Sequence, residues 1–217
     1  MKIGITHEEL YYLLNKKQGN VGHWPHESPW EIMLGAFLVQ NTTWHNTQLS
    51  LKKIGDATLF DPEIISQLEP DELIPLIYSS GFHKSKSNLI STWFKWLAEF
   101  QFDKQSVIKA YPSSDSLRNH LLTFKGIGNE TADVLMLYVF NQKCFIADNY
   151  ARKLFTGLGC PAANDYLTLK HHVEKSTELE LFEWQDFHGQ ILEYGKHHLV
   201  GKGPHQSVLF EQYFLEV

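Results

Sequence analysis

The sequence has little cysteine: Cys144 and Cys160 are the only two in 217 residues, and no Cys-x-x-Cys pair occurs. This count excludes a disulfide framework, and it also excludes a metal site built from four cysteines. Long apolar runs are absent too, since stretches such as residues 134–140 fall far short of a membrane span. The first residues lack a signal-peptide pattern, so we expect a cytoplasmic protein.

Positive charge is also scarce, because 19 Lys and Arg residues face 25 Asp and Glu residues, which gives a net charge of −6. Taken alone, a negative total disfavours a nucleic-acid partner. The charges are unevenly distributed: residues 82–155 hold ten basic and six acidic residues, a net of +4, and each flank has a net of −5. This basic middle segment favours a protein that meets DNA through one face, although an ordinary solvated surface would give the same count.

Strand patterns, internal repeats and low-complexity tracts are missing as well, and 43% of the residues are hydrophobic. Thr6 with Glu9 three residues later forms a capping-box pattern at the start of a first helix. Short helices punctuated by prolines and glycine are expected over residues 61–97. We therefore predict an all-α protein. The other expected helices cover residues 30–40, 44–54, 165–178 and 184–198.

Residues 114–159 form the most informative stretch. Apolar residues at helical spacing are followed by a tight turn at Gly126-Ile127-Gly128, a second helix from about Asn129, and a loop that brings Asp148 to the start of a third helix. The two glycines permit positive φ and a close approach of the backbone to a ligand. Asn129 is expected to cap the second helix, whose free N–H groups and positive dipole end suit a phosphate.

These residues resemble the helix-hairpin-helix of the DNA glycosylases related to endonuclease III. The run FKGIGNETA at residues 124–132 matches the hairpin, and Asp148, 18 positions after Glu130, lies where that family places its catalytic aspartate. The resemblance extends from about residue 30 to residue 189. It implies that the hairpin binds the DNA backbone through Lys125, Gly126, Ile127, Gly128, Asn129 and Thr131.

The resemblance also implies the domain organisation. Residues 21–142 would form a six-helix barrel domain with the helix-hairpin-helix at residues 114–140. Residues 1–20 and 143–217 would form a second helical domain that carries the catalytic aspartate. The active site is expected in the cleft between these two subdomains.

Asp148 and Glu130 suggest the type of chemistry. Breaking an N-glycosidic bond leaves positive charge on the sugar, so a buried carboxylate can stabilise it and can orient or deprotonate water. Asp148 is the candidate, and a simple helix cap is the alternative. Bifunctional members of the family have a lysine at the position of Glu130, which forms a Schiff base with the sugar. The carboxylate predicts a monofunctional enzyme that uses water, unless Lys125 or Lys143 supplies an amine from another place.

Four residues are expected to surround the damaged base. Gln40 matches the side chain that the family inserts into the gap left by a flipped base, and an ordinary polar helix end is its alternative. Trp24, Pro25 and Trp44 resemble the pocket of the 3-methyladenine DNA glycosylase branch, although core aromatics would look the same. An electron-rich aromatic wall favours a positively charged alkylpurine.

No cofactor is expected. Many relatives of endonuclease III hold an iron–sulfur cluster with four cysteines near the C-terminus, whereas residues 188–214 of this chain contain none. Two pairs of adjacent histidines, at 171–172 and 197–198, point in different directions on a helix and have no carboxylate-rich motif beside them. A monovalent cation held by hairpin carbonyls, which the resemblance allows, leaves no side-chain signature.

The sequence thus predicts a monomeric, monofunctional DNA N-glycosylase of base excision repair, which acts on a damaged base in double-stranded DNA. One alternative is an endonuclease III-like glycosylase and AP lyase for oxidised pyrimidines, which Glu130 disfavours. Another is a non-catalytic helix-hairpin-helix DNA-binding protein. Asp148 disfavours this second alternative, because a buried carboxylate near the DNA backbone gains nothing in simple binding.

Overall fold

A computed structural model describes residues 2–19, 21, 28–201, 205 and 207–216. Within these residues the chain is mainly helical, so the predicted all-α class is confirmed. None of the described helices is both long enough and apolar enough to cross a membrane. In chain order the helices are α1 (His7–Gln18), α2 (Pro29–Leu38), α3 (Trp44–Thr58), α4 (Pro62–Gln67), α5 (Pro70–Ile77), α6 (His83–Ala98), α7 (Lys104–Lys109), α8 (Ser114–Leu121), α9 (Asn129–Tyr138), α10 (Asn149–Gly157), α11 (Tyr166–Lys175), α12 (Leu181–His198) and α13 (Val208–Gln212), with single 3-10 turns at Tyr78–Ser80 and Pro161–Asn164.

Two short strands, β1 (Ile3–Ile5) and β2 (Tyr213–Leu215), depart from the expectation that strands are absent. They pair in parallel, with Gly4 opposite Phe214. The expectation was wrong here because three residues are too few to show an alternating pattern, and each strand finds its partner at the other end of the chain.

Local capping rules explain where several helices begin. At the start of α1, the Thr6 hydroxyl accepts a hydrogen bond from the Glu9 amide (3.2 Å), and the Glu9 carboxylate accepts one from the Thr6 amide (2.8 Å). The predicted capping box is therefore confirmed. Between residues 61 and 97 the prediction was only partly right, because α6 runs for 16 residues and Pro75 lies inside α5 instead of ending a helix.

Helices α2–α9 belong to one compact unit, His26–Gln142. Its core contains the Phe37 ring of α2 against the Trp93 ring of α6, with centroids 5.4 Å apart. Helix α9 packs on α2, and every residue from 131 to 140 is buried. The sequence suggested only one apolar face for α9, whereas burial on all sides makes it a central helix of this unit.

The other unit comprises Met1–Pro25 and Lys143–Val217. Helix α12 packs on both α1 and α10. The Asn15 amide of α1 donates to the buried Asp186 carboxylate of α12 (2.9 Å), which ties these two helices together beside their apolar contacts. Phe155 of α10 and Phe187 of α12 are fully buried in the core of this unit.

Candidate functional site

The hairpin between α8 and α9 is a tight turn that the Ile127 amide closes by donating to the Phe124 carbonyl (3.0 Å). Gly126 has φ 103°, a conformation that strains any residue with a side chain. Gly128 has φ −98° and needs no glycine for conformational reasons, so the expectation of positive φ holds for only one of the two. Lys125, Gly126 and Gly128 are exposed and Ile127 is buried, so the turn presents its backbone outward on an apolar anchor.

Asn129 does not cap α9, contrary to the sequence expectation. Gly128 is the N-cap residue and contributes no side-chain cap. The Asn129 side-chain oxygen instead accepts a hydrogen bond from the Arg118 guanidinium (3.0 Å). Arg118 also donates to both oxygens of the fully buried Asp133 (2.8 and 2.9 Å). This bidentate pair joins α8 to α9 and fixes the geometry of the turn between them, a role that the sequence did not suggest.

Gln40, just beyond α2, is bonded to the hairpin in this structure. Its amide nitrogen donates to the Gly126 carbonyl (3.0 Å) and to the Thr131 hydroxyl (3.0 Å). Thr131 is only 9% exposed, so its hydroxyl holds Gln40 more readily than it would meet a phosphate. Insertion of Gln40 into DNA stays a prediction, and it would require these two hydrogen bonds to break.

Lys86 is a buried lysine that the sequence did not single out as structural. It is 3% exposed, and its ammonium donates to the carbonyls of Leu38 (2.8 Å) and Ser80 (2.7 Å). Burial lowers its pKa to about 8. Because Leu38 ends α2, the ammonium satisfies a helix-end carbonyl two residues before Gln40.

Fewer cationic side chains of the basic middle segment (residues 82–155) can contact DNA than the residue count implied. Lys86 and Arg118 are engaged inside the protein, as described above. Lys95 pairs with Glu69 (2.9 Å), and Lys143 pairs with Glu180 (3.0 Å). The exposed lysines of this segment for which the structure describes no ion pair are Lys84, Lys109 and Lys125.

Asp148 is the N-cap residue of α10, and its Oδ1 accepts a hydrogen bond from the Ala151 amide (2.7 Å). The carboxylate is also buried, at 6% exposure, which is unusual for a residue that serves only as a cap. Its Oδ2 lies 4.0 Å from Nε2 of His188 on α12. Burial lowers the pKa of His188 to about 4, so this imidazole is neutral at physiological pH.

His188 was missed by sequence reasoning, because a single histidine in a helix has no distinctive spacing. Of the remaining predicted residues the structure describes Trp44 and Glu130, and the role assigned to each stays a prediction. Trp24 and Pro25 lie outside the described residues. Trp44 opens α3 and is half-buried, and Glu130 lies exposed in the first turn of α9.

The cysteines do not suit an iron–sulfur cluster. A cluster of this kind takes four thiolates, and the chain offers only Cys144 and Cys160, both buried. Burial raises the pKa of the Cys160 thiol, which disfavours the thiolate that iron requires. Among the described residues, no group of three or more His, Cys, Asp or Glu side chains is arranged to hold a metal ion.

No family model matches the chain. A Methanocaldococcus jannaschii protein assigned as a DNA repair glycosylase is 29% identical over 191 residues, which cover 87% of this chain and 86% of the relative. Endonuclease III of Thermotoga maritima is 23% identical over 188 residues, covering 87% of this chain and 81% of that enzyme.

Solved structures agree on the fold. The 3-methyladenine DNA glycosylase of H. pylori bound to 1,N6-ethenoadenine superposes with a TM-score of 0.74 at 23% identity, over 91% of this chain and 100% of that chain. A non-covalent endonuclease III–DNA complex gives a TM-score of 0.71 at 20% identity, over 92% and 90%. The chain therefore has the fold of the helix-hairpin-helix, endonuclease III-like superfamily. Its relatives and structural neighbours are DNA glycosylases, which include endonuclease III and the 3-methyladenine enzyme.

Proposed function

We propose that the protein is a monofunctional DNA N-glycosylase that hydrolyses the glycosidic bond of an alkylated purine. The observation that carries this proposal is the buried carboxylate of Asp148 at the N-terminus of α10, in a chain with the glycosylase fold. Its substrate would be a damaged base in double-stranded DNA, and it would act as a monomer.

Asp148 is held in a way that suits charge stabilisation. The Ala151 amide fixes Oδ1, and the positive end of the α10 dipole stabilises a negative carboxylate at this position. As the glycosidic bond breaks, positive charge develops on the sugar, and a fixed carboxylate stabilises that charge without reorganising. The same carboxylate can orient the water that attacks the sugar. His188, which is buried and neutral, adds no positive charge beside the carboxylate.

Water is the proposed nucleophile because residue 130, the hairpin position at which bifunctional relatives have their nucleophilic lysine, is a glutamate here. Glu130 occupies the place of the lysine in bifunctional relatives, and a carboxylate cannot form a Schiff base. The Lys143 ammonium is paired with Glu180 on the surface. Lys125 is exposed on the hairpin, where it suits a phosphate contact. The product would be an abasic site with intact strands.

The hairpin is the proposed contact to the DNA backbone, through Lys125, Gly126, Ile127, Gly128 and Asn129. Exposed main-chain groups at Gly126 and Gly128, next to the N-terminus of α9, match the chemistry of a phosphate. We propose no organic or metal cofactor for the reaction. A monovalent cation on hairpin carbonyls is compatible with this assignment.

An alkylated purine is the proposed substrate class. A purine alkylated on a ring nitrogen is positively charged, and an aromatic wall attracts this charge by about 0.5–2 kcal/mol more than a neutral base. Trp44 at the start of α3 is the described residue proposed for this wall, together with Trp24 and Pro25. The structural neighbour from H. pylori, a 3-methyladenine glycosylase holding an ethenoadenine, supports this class of base.

The experiment that tests the mechanism compares two aspartates at helix N-caps. Asp148→Asn should retain the cap and duplex binding, yet lose base excision by a factor on the order of 10² or more. Asp165→Asn is the matched control, because Asp165 caps α11 in the same manner but is exposed. Excision by Asp148→Asn within a few-fold of wild type would exclude the proposed role.

Borohydride trapping tests the choice of water over an amine. The protein with damaged duplex and borohydride should yield no covalent adduct, and strands should break only after alkali. Efficient trapping would contradict the monofunctional assignment. Lys125→Ala and Lys143→Ala would then identify which amine attacks.

A further inference from the structure

A cavity lies along α10, in the unit that includes the C-terminal helices. Its volume is about 490 Å³, which is in the range of small-molecule sites. Asn149, Arg152, Lys153 and Thr156 line it, and their spacing of three and four residues places them on one face of the helix. The opposite walls include Asn164, His205 and Phe210.

The cavity is cationic. Arg152 and Lys153 contribute positive charge, and no carboxylate is among the described residues that line it. The Lys153 ammonium already donates hydrogen bonds to the carbonyls of Leu199 and Gly201 (both 2.9 Å). It therefore holds the residues that follow α12 against α10. Arg152 differs: its Nε is buried and has no hydrogen-bond partner among the described residues.

Phe210 and the C-terminal residues around it, from Ser207 to Leu215, form one wall of this cavity. A Cβ atom at Gly157 would lie 2.3 Å from the Phe210 ring, so the glycine lets that ring rest directly on α10. Ser207 caps α13 through the Leu209 amide (3.1 Å) and also hydrogen-bonds to Tyr194 of α12. The Leu215 amide donates to the Leu158 carbonyl (3.0 Å). The wall is therefore bonded to α10 and α12 on both sides of Phe210.

From these features we propose that the cavity is a phosphate-binding site, with the Arg152 guanidinium as its principal cation. A guanidinium presents several N–H donors in a planar fork, which matches two oxygens of a phosphate. The amides of Asn149 and Asn164 and the hydroxyl of Thr156 supply neutral donors at the rim. This site shares no residue with the hairpin, because its lining residues lie on α10, on the 3-10 turn Pro161–Asn164, and at His205 and Phe210.

The phosphate can come from two sources with the same chemistry. One is a backbone phosphate of the DNA strand, and this source rests on the proposed function. The other is a free phosphate or the phosphate of a mononucleotide, which requires no glycosylase activity. Two binding experiments that do not measure base excision distinguish these sources. Both results can therefore be interpreted even if the proposed role of Asp148 is wrong.

The variants are Arg152→Gln, which removes the cation, and Thr156→Glu, which places a carboxylate at the exposed rim. Lys175→Gln is the matched control: it removes one charge from an exposed site at the end of α11, away from the cavity. In the absence of phosphate, the thermal midpoint of all three variants should equal that of wild type. If Arg152→Gln is unstable, Thr156→Glu still tests the proposal.

In the first experiment, the thermal midpoint is measured with inorganic phosphate and with AMP. In the second, binding to an undamaged duplex is measured against salt concentration, where each phosphate contact contributes about 0.9 to the logarithmic slope. If the site binds a free ligand, phosphate or AMP should raise the thermal midpoint of wild type, and both cavity variants should lose this rise. If the site binds a DNA phosphate, both variants should instead lose about 0.9 of the logarithmic salt slope. If both measurements match wild type and the Lys175→Gln control, the proposal is wrong.

Discussion

At the scale of single residues, His7 shows how burial produces a dependence on pH. His7 is 3% exposed at the start of α1, where its Nδ1 is 2.9 Å from the Ser176 hydroxyl and its ring lies 5.1 Å from that of His172. Burial first, and the neighbouring His172 second, lower the pKa of His7 from 6.5 to about 4. The folded protein therefore holds His7 neutral at a pH where the unfolded chain takes up a proton.

The sign of the effect follows from this difference in proton binding. Because the unfolded state binds the proton more tightly, the contribution of neutral His7 to the free energy of unfolding is fully present above pH 6.5. This contribution is lost as pH falls from 6.5 toward 4. For His7 alone, the loss between about pH 7.5 and about pH 5 is on the order of 2 kcal/mol. His188 has a similarly lowered pKa and acts in the same direction.

Urea unfolding of wild type and His7→Gln at these two pH values measures the contribution of His7. The difference in unfolding free energy between the two pH values should shrink in the variant by on the order of 2 kcal/mol. His45→Gln, at an exposed histidine of α3, should leave the difference unchanged. An undiminished difference in His7→Gln would show that other groups carry the acid sensitivity.

Single residues also show what the sequence could and could not predict about the site. Asp148 could be proposed from the sequence because the hairpin motif that carries the resemblance, and the distance of 18 residues from Glu130, are local features; its catalytic role stays a prediction. His188 and Arg118 could not be proposed, because each acts through a partner brought near by folding, Asp148 in one case and Asp133 in the other. Asn129 was misassigned as a cap since Arg118 competes for its side-chain oxygen.

At the scale of elements, the hairpin depends on one glycine more than on the other. Gly126→Ala should destabilise the fold by about 1–2 kcal/mol, because φ 103° disfavours any Cβ, and the added Cβ would also lie 3.4 Å from Leu89. Duplex binding should weaken for every DNA sequence, since the hairpin would contact only the backbone. Chemical unfolding and binding to two unrelated duplexes measure both effects.

Gly128→Ala is the control for that experiment. Its φ is −98°, and among the described residues no atom outside its own stretch of chain lies within 4 Å of an added Cβ, so stability should change by less than about 0.5 kcal/mol. Equal destabilisation by the two substitutions would contradict the role assigned to the positive φ of Gly126.

Lys86 connects three elements through its two hydrogen bonds. Lys86→Met keeps the length of the side chain but leaves the Leu38 and Ser80 carbonyls without their donor, which should cost on the order of 1–3 kcal/mol of unfolding free energy. Lys84→Met, at an exposed position of the same helix, should have little effect. Urea titration measures both variants, and equal stability of the two would show that the carbonyls find other partners.

Element boundaries were predictable where a local capping signal decides them, as Thr6 and Glu9 do for α1. They were not predictable where the decision is made elsewhere in the fold. The strand Ile3–Ile5 exists only because Tyr213–Leu215 lies beside it. Likewise α9 has a mixed sequence but is buried on every side, which no helical periodicity could reveal.

At the scale of the whole molecule, the charge count overstated the basic surface. The net of +4 over residues 82–155 includes Lys86 and Arg118, whose charges are used inside the fold. A sequence count cannot separate these from exposed lysines, because burial of a cation depends on carbonyls and carboxylates from other helices. The cationic face proposed to meet DNA is therefore narrower, and Lys125 on the hairpin is its clearest member.

Substrate selectivity belongs to the whole protein together with the damaged duplex that we propose as its substrate. A panel of duplexes carrying alkylated, oxidised, deaminated and mismatched bases should show release of 3-methyladenine or a related alkylpurine, with little release of uracil, thymine glycol or 8-oxoguanine. A charged alkylpurine already has a weakened glycosidic bond, so one carboxylate at Asp148 suffices without a general acid to assist the leaving base.

Trp44→Ala tests whether the aromatic wall causes this selectivity. Because cation–π attraction acts only on the charged base, the variant should slow alkylpurine release by several-fold to tens-of-fold, in keeping with ~0.5–2 kcal/mol, and should weaken binding to undamaged duplex less. Tyr78→Ala removes an exposed aromatic ring from another helix end and should change neither measurement. If the wild type ignores alkylated DNA and releases oxidised pyrimidines, the aromatic-pocket argument fails and Trp44 is a packing residue.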